Sequence, residues 1–242
     1  MRVAPLFLLP LTLLAGCNGG GSGNSTAAVT SATPVAAVAP PAGKTWLDVV
    51  SKTSDGYIQG NPNAPIKLLE YGSRTCPVCG HFANTGVEPL RAKYVSTGKV
   101  SYEFREFWVH PQDAAPSLLG NCVSTEAFFP VLDQMYAQQT ELNAKIEQVY
   151  AQVQSLQKTQ QPLAYAVGLG YLDFIKQRGV PEEKARQCLT DPALVKTIND
   201  RINKGIEKGV NGTPTFFIND KKVDDVVAWE QLEPRLQAAG AR

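Results

Sequence analysis

Cys76-Pro77-Val78-Cys79 lies where one structural period gives way to another, and that junction restricts the fold more than any other part of the chain. Ahead of it, Ile66-Lys67-Leu68-Leu69-Glu70-Tyr71 is an apolar, β-rich run broken by charge, the pattern of a buried strand. After it, Phe82, Val87, Leu90 and Tyr94 recur at roughly helical spacing. A strand running into a helix at a CxxC places the first sulfur beside the unpaired N–H groups and positive dipole of the helix start, which favour a thiolate. Pro77 suits the first helical turn, where its missing N–H costs nothing. Cys79 falls about one turn further in, better shielded and within reach of Cys76. The spacing predicts a nucleophilic thiol and a resolving partner.

Other uses of a CxxC fit less well. Haem attachment needs His directly after the second Cys, whereas Gly80 separates Cys79 from His81. A structural zinc site needs about four ligands, usually two such pairs, and this chain has one pair and two histidines, His81 and His110. A copper or zinc site from Cys76, Cys79 and one His stays open as an alternative. His81, Arg105 and His110 read as ordinary surface groups.

The N-terminal residues predict export. Met1-Arg2 is followed by an apolar run from Val3 to Ala15, too short to span a bilayer but of signal-peptide length. It ends Leu14-Ala15-Gly16-Cys17, which resembles the lipobox of bacterial lipoproteins and implies a signal peptide over 1–16 with Cys17 as the lipidated first residue. Asn18 after that Cys is similar to the outer-membrane sorting pattern, so the expected location is the periplasm, lipid-anchored to the outer rather than the inner membrane. Residues 17–43 lack charge and are rich in Gly, Ser, Thr, Ala, Val and Pro, which predicts a flexible linker spanning on the order of 25–30 Å. Once 1–16 are removed, 22 basic residues face 22 acidic ones. That balance gives no reason to expect a nucleic-acid partner.

The chain has five cysteines. With Cys17 lipidated and Cys76 and Cys79 reactive, Cys122 and Cys188 are left for an oxidising compartment to pair. The alternative is two buried free thiols. Such a disulfide would be structural, stabilising by a few kcal/mol in the chain-entropy model.

The remaining sequence predicts an α/β body. Residues 44–110 carry a short leading helix over Lys44–Ser51, strand and turn over Asp55–Pro65, the CxxC unit, and an alternating strand Val100–Trp108. Residues 111–191 have long helical periodicity broken at Pro116, Pro130, Pro162 and Pro181, the mark of a helical insertion, and its glutamines from Gln134 to Gln161 read as a solvated face. Residues 192–242 add a helix over Pro192–Lys208, a strand Pro214–Ile218, a turn at Asn219-Asp220 and a closing helix Trp229–Ala238. This is the element order of a thioredoxin fold with a helical insertion.

Three blocks carry a resemblance over nearly all of 44–242: Gly60-Asn61-Pro62-Asn63-Ala64-Pro65, the CPVC motif, and Val210-Asn211-Gly212-Thr213-Pro214-Thr215-Phe216-Phe217. Together they resemble the DsbA-like branch of the thioredoxin superfamily. The resemblance implies a protein-disulfide oxidoreductase that needs no cofactor and no metal. It implies Cys76 and Cys79 as catalytic residues, Glu70 as a carboxylate beneath the site that takes the proton of Cys79, and a cis-Pro214. With Pro214 cis, Thr213 would offer its backbone to an extended substrate peptide. Val78 stands where strong oxidases carry His, and Thr213 is similar to the isomerase and reductase branch, so the two directions compete. The lack of an added dimerisation domain favours a monomeric oxidase. The implied partners are exported proteins with thiols or disulfides and a membrane redox partner. The alternatives are a disulfide reductase or isomerase and, from another class, a metal-binding or metal-delivery module.

Overall fold

The structure is a computed structural model that describes Met1 and residues 32–242. Apart from Met1, the signal segment expected over 1–16, Cys17 and the first part of the linker lie outside the described residues. The apolar run before the CxxC is strand β3 below, and it holds the centre of a six-stranded sheet. In chain order the strands are β1 (Val50–Lys52), β2 (Tyr57–Gln59), β3 (Ile66–Gly72), β4 (Val100–Glu106), β5 (Thr215–Ile218) and β6 (Lys221–Val223), arranged β1-β2-β4-β3-β5-β6. β3 runs parallel to β4 and antiparallel to β5. The crossover from β3 to β4 is made by α1 (Pro77–Thr85) and α2 (Val87–Leu90), followed by a π-helical turn over Arg91–Val95.

Between β4 and β5 lie α3 (Ala114–Gly120), α4 (Phe128–Ala137), α5 (Gln139–Asn143), α6 (Ile146–Val153), α7 (Gln161–Gly168), α8 (Tyr171–Lys176), α9 (Glu182–Thr190) and α10 (Pro192–Glu207); α11 (Trp229–Ala238) closes the chain. The body is therefore α/β, a thioredoxin-type sheet with a helical insertion. Asn219 and Asp220 both adopt positive φ, 49° and 62°, and join β5 to β6. That is the geometry a two-residue hairpin asks of Asn and Asp.

Alternation along β3 divides the core. Ile66 and Leu68 pack with Phe82, Leu90, Phe104, Phe216 and Leu232 on the face covered by α1 and α11. Leu69 and Tyr71 pack with Leu118, Tyr165, Phe174 and Ile198 on the opposite face. Glu70 has the parity of Ile66 and Leu68, so it faces the helix that carries the CxxC. Cys122, just past α3, and Cys188 of α9 form a disulfide with their Cα atoms 6.1 Å apart.

Two stretches differ from the sequence expectation. The leading helix is a 3-10 turn of three residues, Trp46–Asp48, and Val50 already belongs to an edge strand paired with Gln59. Val49 and Val50 are β-branched and fit a pleat better than a helical turn. The linker expected to be free is laid along the body from residue 32. Ala32 N–H donates to Ala238 O, Val35 N–H to Gly240 O and Val38 N–H to Thr97 O, each at 2.9 Å. The Trp46 indole N–H then donates to Val38 O at 2.6 Å.

Candidate active site

β3 ends at Gly72, and the next four residues bend the chain into α1. Cys76 is the N-cap of α1 in an extended conformation, and Pro77 occupies the first helical position. Gly80 N–H donates to Cys76 O at 3.0 Å, closing the first turn. This turn brings the two sulfurs together. Cys76 is 6% exposed at the surface, whereas Cys79 is wholly buried, and both are thiols.

The Thr213–Pro214 peptide bond is cis. The Cys76 thiol donates to Thr213 O at 3.4 Å. The buried Thr213 hydroxyl has no other partner, so it can donate to the sulfur once Cys76 is a thiolate. Val78, between the two cysteines, is 43% exposed and gives the site an apolar lip.

These surroundings separate the two sulfurs electrically. The Cys76 thiol is drawn down to about 5, chiefly by a hydrogen bond from Cys79, against its burial, with Thr213 and the N–H groups of Cys79 and Val78 adding to the effect. Cys79 is pushed up, first by burial, then by its donation to Cys76 and by the nearby charge of Glu70. One sulfur is thus an anion at neutral pH and the other keeps its proton.

Glu70 lies under this pair, buried on the α1 face. Tyr102 of β4 donates to its Oε2 at 2.6 Å, and its Oε1 has no partner. Burial pushes the Glu70 carboxyl up to about 8; the Tyr102 hydrogen bond works the other way, and the charge of Cys76 adds to the rise.

Several residues that build the site were not singled out from the sequence. Arg74 donates from Nε and Nη2 to Glu106 Oε1 at 2.9 and 2.8 Å, and its guanidinium fills the space where a side chain on Gly120 would stand. The Thr75 hydroxyl donates to Asp113, which also accepts from the N–H groups of Val109 and His110. Four consecutive carbonyls, Ser73 to Cys76, accept from side chains of α4 and α5. Tyr136 Oη donates to Ser73 O at 3.1 Å, Gln139 Nε2 to Arg74 O at 3.0 Å and to Cys76 O at 2.9 Å, and Asn143 Nδ2 to Thr75 O at 2.9 Å. Gln139 and Gln161 are buried, two exceptions to a run of glutamines that is otherwise exposed as expected. The spacing of Tyr136, Gln139 and Asn143, three then four, was the available signal.

Arg105 is also more than a surface group: it pairs with Glu103 at 2.8 Å and lies over the Tyr71 ring. His81 and His110 are exposed. Among the described residues no group of three or more His, Cys, Asp or Glu is placed to hold a metal ion.

The family model described as thioredoxin matches residues 52–238. A Rickettsia bellii protein carrying the provisional name protein-disulfide oxidoreductase is 26% identical over 187 residues, covering 76% of this chain and 65% of its own length. A Rickettsia felis protein of the same name is 29% identical over 178 residues, covering 72% and 56%. The chain therefore matches just under two thirds of one relative and little over half of the other. The crystal structure of a protein-disulfide isomerase from Novosphingobium aromaticivorans superposes with a TM-score of 0.73 at 28% identity, covering 77% of this chain and 98% of that one. Wolbachia pipientis alpha-DsbA1 superposes with a TM-score of 0.60 at 22% identity, covering 80% and 95%. A sheet of this order, a CxxC at its first crossover and a helical insertion ahead of its last hairpin agree with these likenesses: the chain belongs to the thioredoxin family and has the DsbA-like form of its fold.

Proposed function

We propose that the chain is a protein-disulfide oxidoreductase that exchanges disulfides with exported proteins through Cys76 and Cys79, working chiefly as an oxidase. One observation carries this reading: an N-cap sulfur favoured as a thiolate sits beside a buried thiol that keeps its proton. A stabilised thiolate stabilises the reduced form and so makes the disulfide a stronger oxidant.

In the oxidising direction a substrate thiolate attacks Sγ of Cys76 in the Cys76–Cys79 disulfide. The S–S bond breaks, and Cys79 leaves with the bonding pair and takes a proton from Glu70, which is neutral at neutral pH. A second substrate thiolate attacks the substrate sulfur of the mixed disulfide and expels Cys76 as a thiolate. Two electrons have then passed from the substrate dithiol to the enzyme. In the reverse direction ionised Glu70 accepts the Cys79 proton. Thr213 and Pro214 border Cys76 on the side where an extended peptide would lie.

Cys17, lipidated after removal of 1–16, would anchor the protein in the periplasm, at the outer rather than the inner membrane, as a monomer recharged by a membrane redox partner. The Leu14-Ala15-Gly16-Cys17 pattern supports the anchor, and mass spectrometry of the mature N-terminus tests it. Thr213 and the likeness to a structure titled protein-disulfide isomerase favour reduction or isomerisation as the second reading.

The equilibrium reduction potential of the Cys76–Cys79 pair decides between them. A value near about −120 mV means an oxidase, and one near about −270 mV a reductase.

A further inference from the structure

The CxxC loop has its carbonyls tied down by a different part of the chain. Ordinary helix starts leave their N–H groups unpaired, and it is these groups that serve an anion at the N-cap. Here the carbonyl side of the same loop is also fully engaged. Ser73, Arg74, Thr75 and Cys76 each accept a side-chain hydrogen bond from Tyr136, Gln139 or Asn143, all on the α4–α5 stretch. Gln139 bridges two of these carbonyls with one nitrogen, and a Cβ on Gly80 would overlap its Oε1. The loop's side chains are fixed separately, Arg74 by Glu106 and Thr75 by Asp113. The carbonyls of the loop that leads into α1 therefore point to the insertion and fix where the helix starts, and the N–H groups of Val78 and Cys79, in the next peptide units of that start, face the Cys76 sulfur.

We propose that Tyr136, Gln139 and Asn143 are positioning residues that hold the loop in the orientation favouring the Cys76 thiolate, so that the helical insertion sets the reduction potential of the dithiol. This rests on the reading of Cys76 and Cys79 as the redox pair. The thiolate exists only in the reduced protein, so an interaction that orients donors toward it stabilises that form over the disulfide. Loosening the row leaves carbonyls unpaired and lets the N–H groups lose their aim. The disulfide then becomes the more stable form.

The test equilibrates the purified full-length protein with glutathione. One glutathione disulfide takes two electrons and two protons and becomes two glutathione thiols, while the Cys76 thiolate and Cys79 thiol give up the two electrons and become a disulfide; one of the protons is that of Cys79 and the other comes from the buffer. Gln139→Met keeps the length of the side chain and removes the donor. Its equilibrium is expected to shift about tenfold toward the protein disulfide, a potential about 30 mV more negative, with the thiolate of Cys76 titrating at higher pH. Val153→Ala, in the core of α6 away from the loop, should lower stability and leave both readouts unchanged.

Wild-type values in Gln139→Met overturn the proposal, as does an equal shift in Val153→Ala. Should Gln139→Met fail to fold, Asn143→Ala removes only the bond to Thr75 O. It should shift both readouts in the same sense by a smaller factor, and no shift there is equally fatal. Failure of the wild-type Cys76–Cys79 pair to exchange with glutathione would instead sink the redox reading itself, before any variant is compared.

Discussion

Tyr102 donates its phenolic hydrogen to Oε2 of Glu70 at 2.6 Å, and the other carboxylate oxygen is buried with no partner. A carboxyl held this way can keep a proton at neutral pH, release it to a neighbour and recover it without solvent reaching the site. The pair shares the sheet face on which α1 carries Cys79.

Glu70 should make both chemistry and stability depend on pH around 8. Attack by Cys79 on a mixed disulfide needs ionised Glu70, so that step should accelerate as pH rises toward about 8. Glu70→Gln should slow it by about a hundredfold or more and flatten the profile. For folding, the native carboxyl titrates above its unfolded value, so the folded state binds the extra proton between the two. Stability should therefore fall as pH rises from about 4.5 to about 8, by up to about 1.4 kcal/mol per unit from this group. Denaturant unfolding of Glu70→Gln should lose that slope; an unchanged slope would show that Glu70 is not its source.

Cys76 should titrate near 5 in the reduced protein, followed by thiolate ultraviolet absorbance. Because Cys79 supplies the leading hydrogen bond, Cys79→Ala should raise that midpoint, and Cys79→Ser, which keeps a hydroxyl donor, should hold it low. Equal midpoints in the two variants would remove Cys79 as the cause. The native thiol is depressed below its unfolded value, so the reduced protein should gain stability as pH rises from about 5 toward about 9 and lose it as pH falls through 5.

The buried pair of Arg74 and Glu106 should act as a unit. Glu106→Ala leaves a buried guanidinium unpaired and should cost about 3–5 kcal/mol in chemical denaturation. Replacing both partners by apolar residues of similar volume should cost far less. A single variant no worse than the double would mean that the charges do not depend on each other.

Removing residues 1–43 should be more damaging than removing 1–31. The first truncation deletes the three backbone hydrogen bonds made by Ala32, Val35 and Val38 and strands the indole N–H of Trp46. At about 1 kcal/mol each, the difference should be a few kcal/mol in unfolding free energy. Equal stabilities would show that this strap, the segment over residues 32–38, contributes nothing.

Residues whose chemistry depends on local sequence were legible in advance. The CPVC turn and the Asn219-Asp220 hairpin need only their neighbours to define them, whereas Glu70 is placed beneath the sulfurs by the family resemblance and not by its own strand. Gln139 reads as solvated because a polar residue on a helix looks so until its partners are known, and those partners are carbonyls more than sixty residues earlier. The strap at residues 32–38 was hidden for a related reason: its bonds are mostly between backbones, which leave no periodicity in side chains. Val50 reads as part of a leading helix because only its pairing with Gln59 makes it a strand.

The strap also gives the molecule a front and a back. It meets the body beside Thr97 and the chain end at Gly240, where β3 and β4 begin, whereas the sulfurs lie beyond the last residue of β3. Seven strand residues separate those ends, about 20 Å. A pull on the N-terminal segment therefore acts at the rear of the sheet, so the tether proposed at Cys17 would turn the dithiol away from its point of attachment.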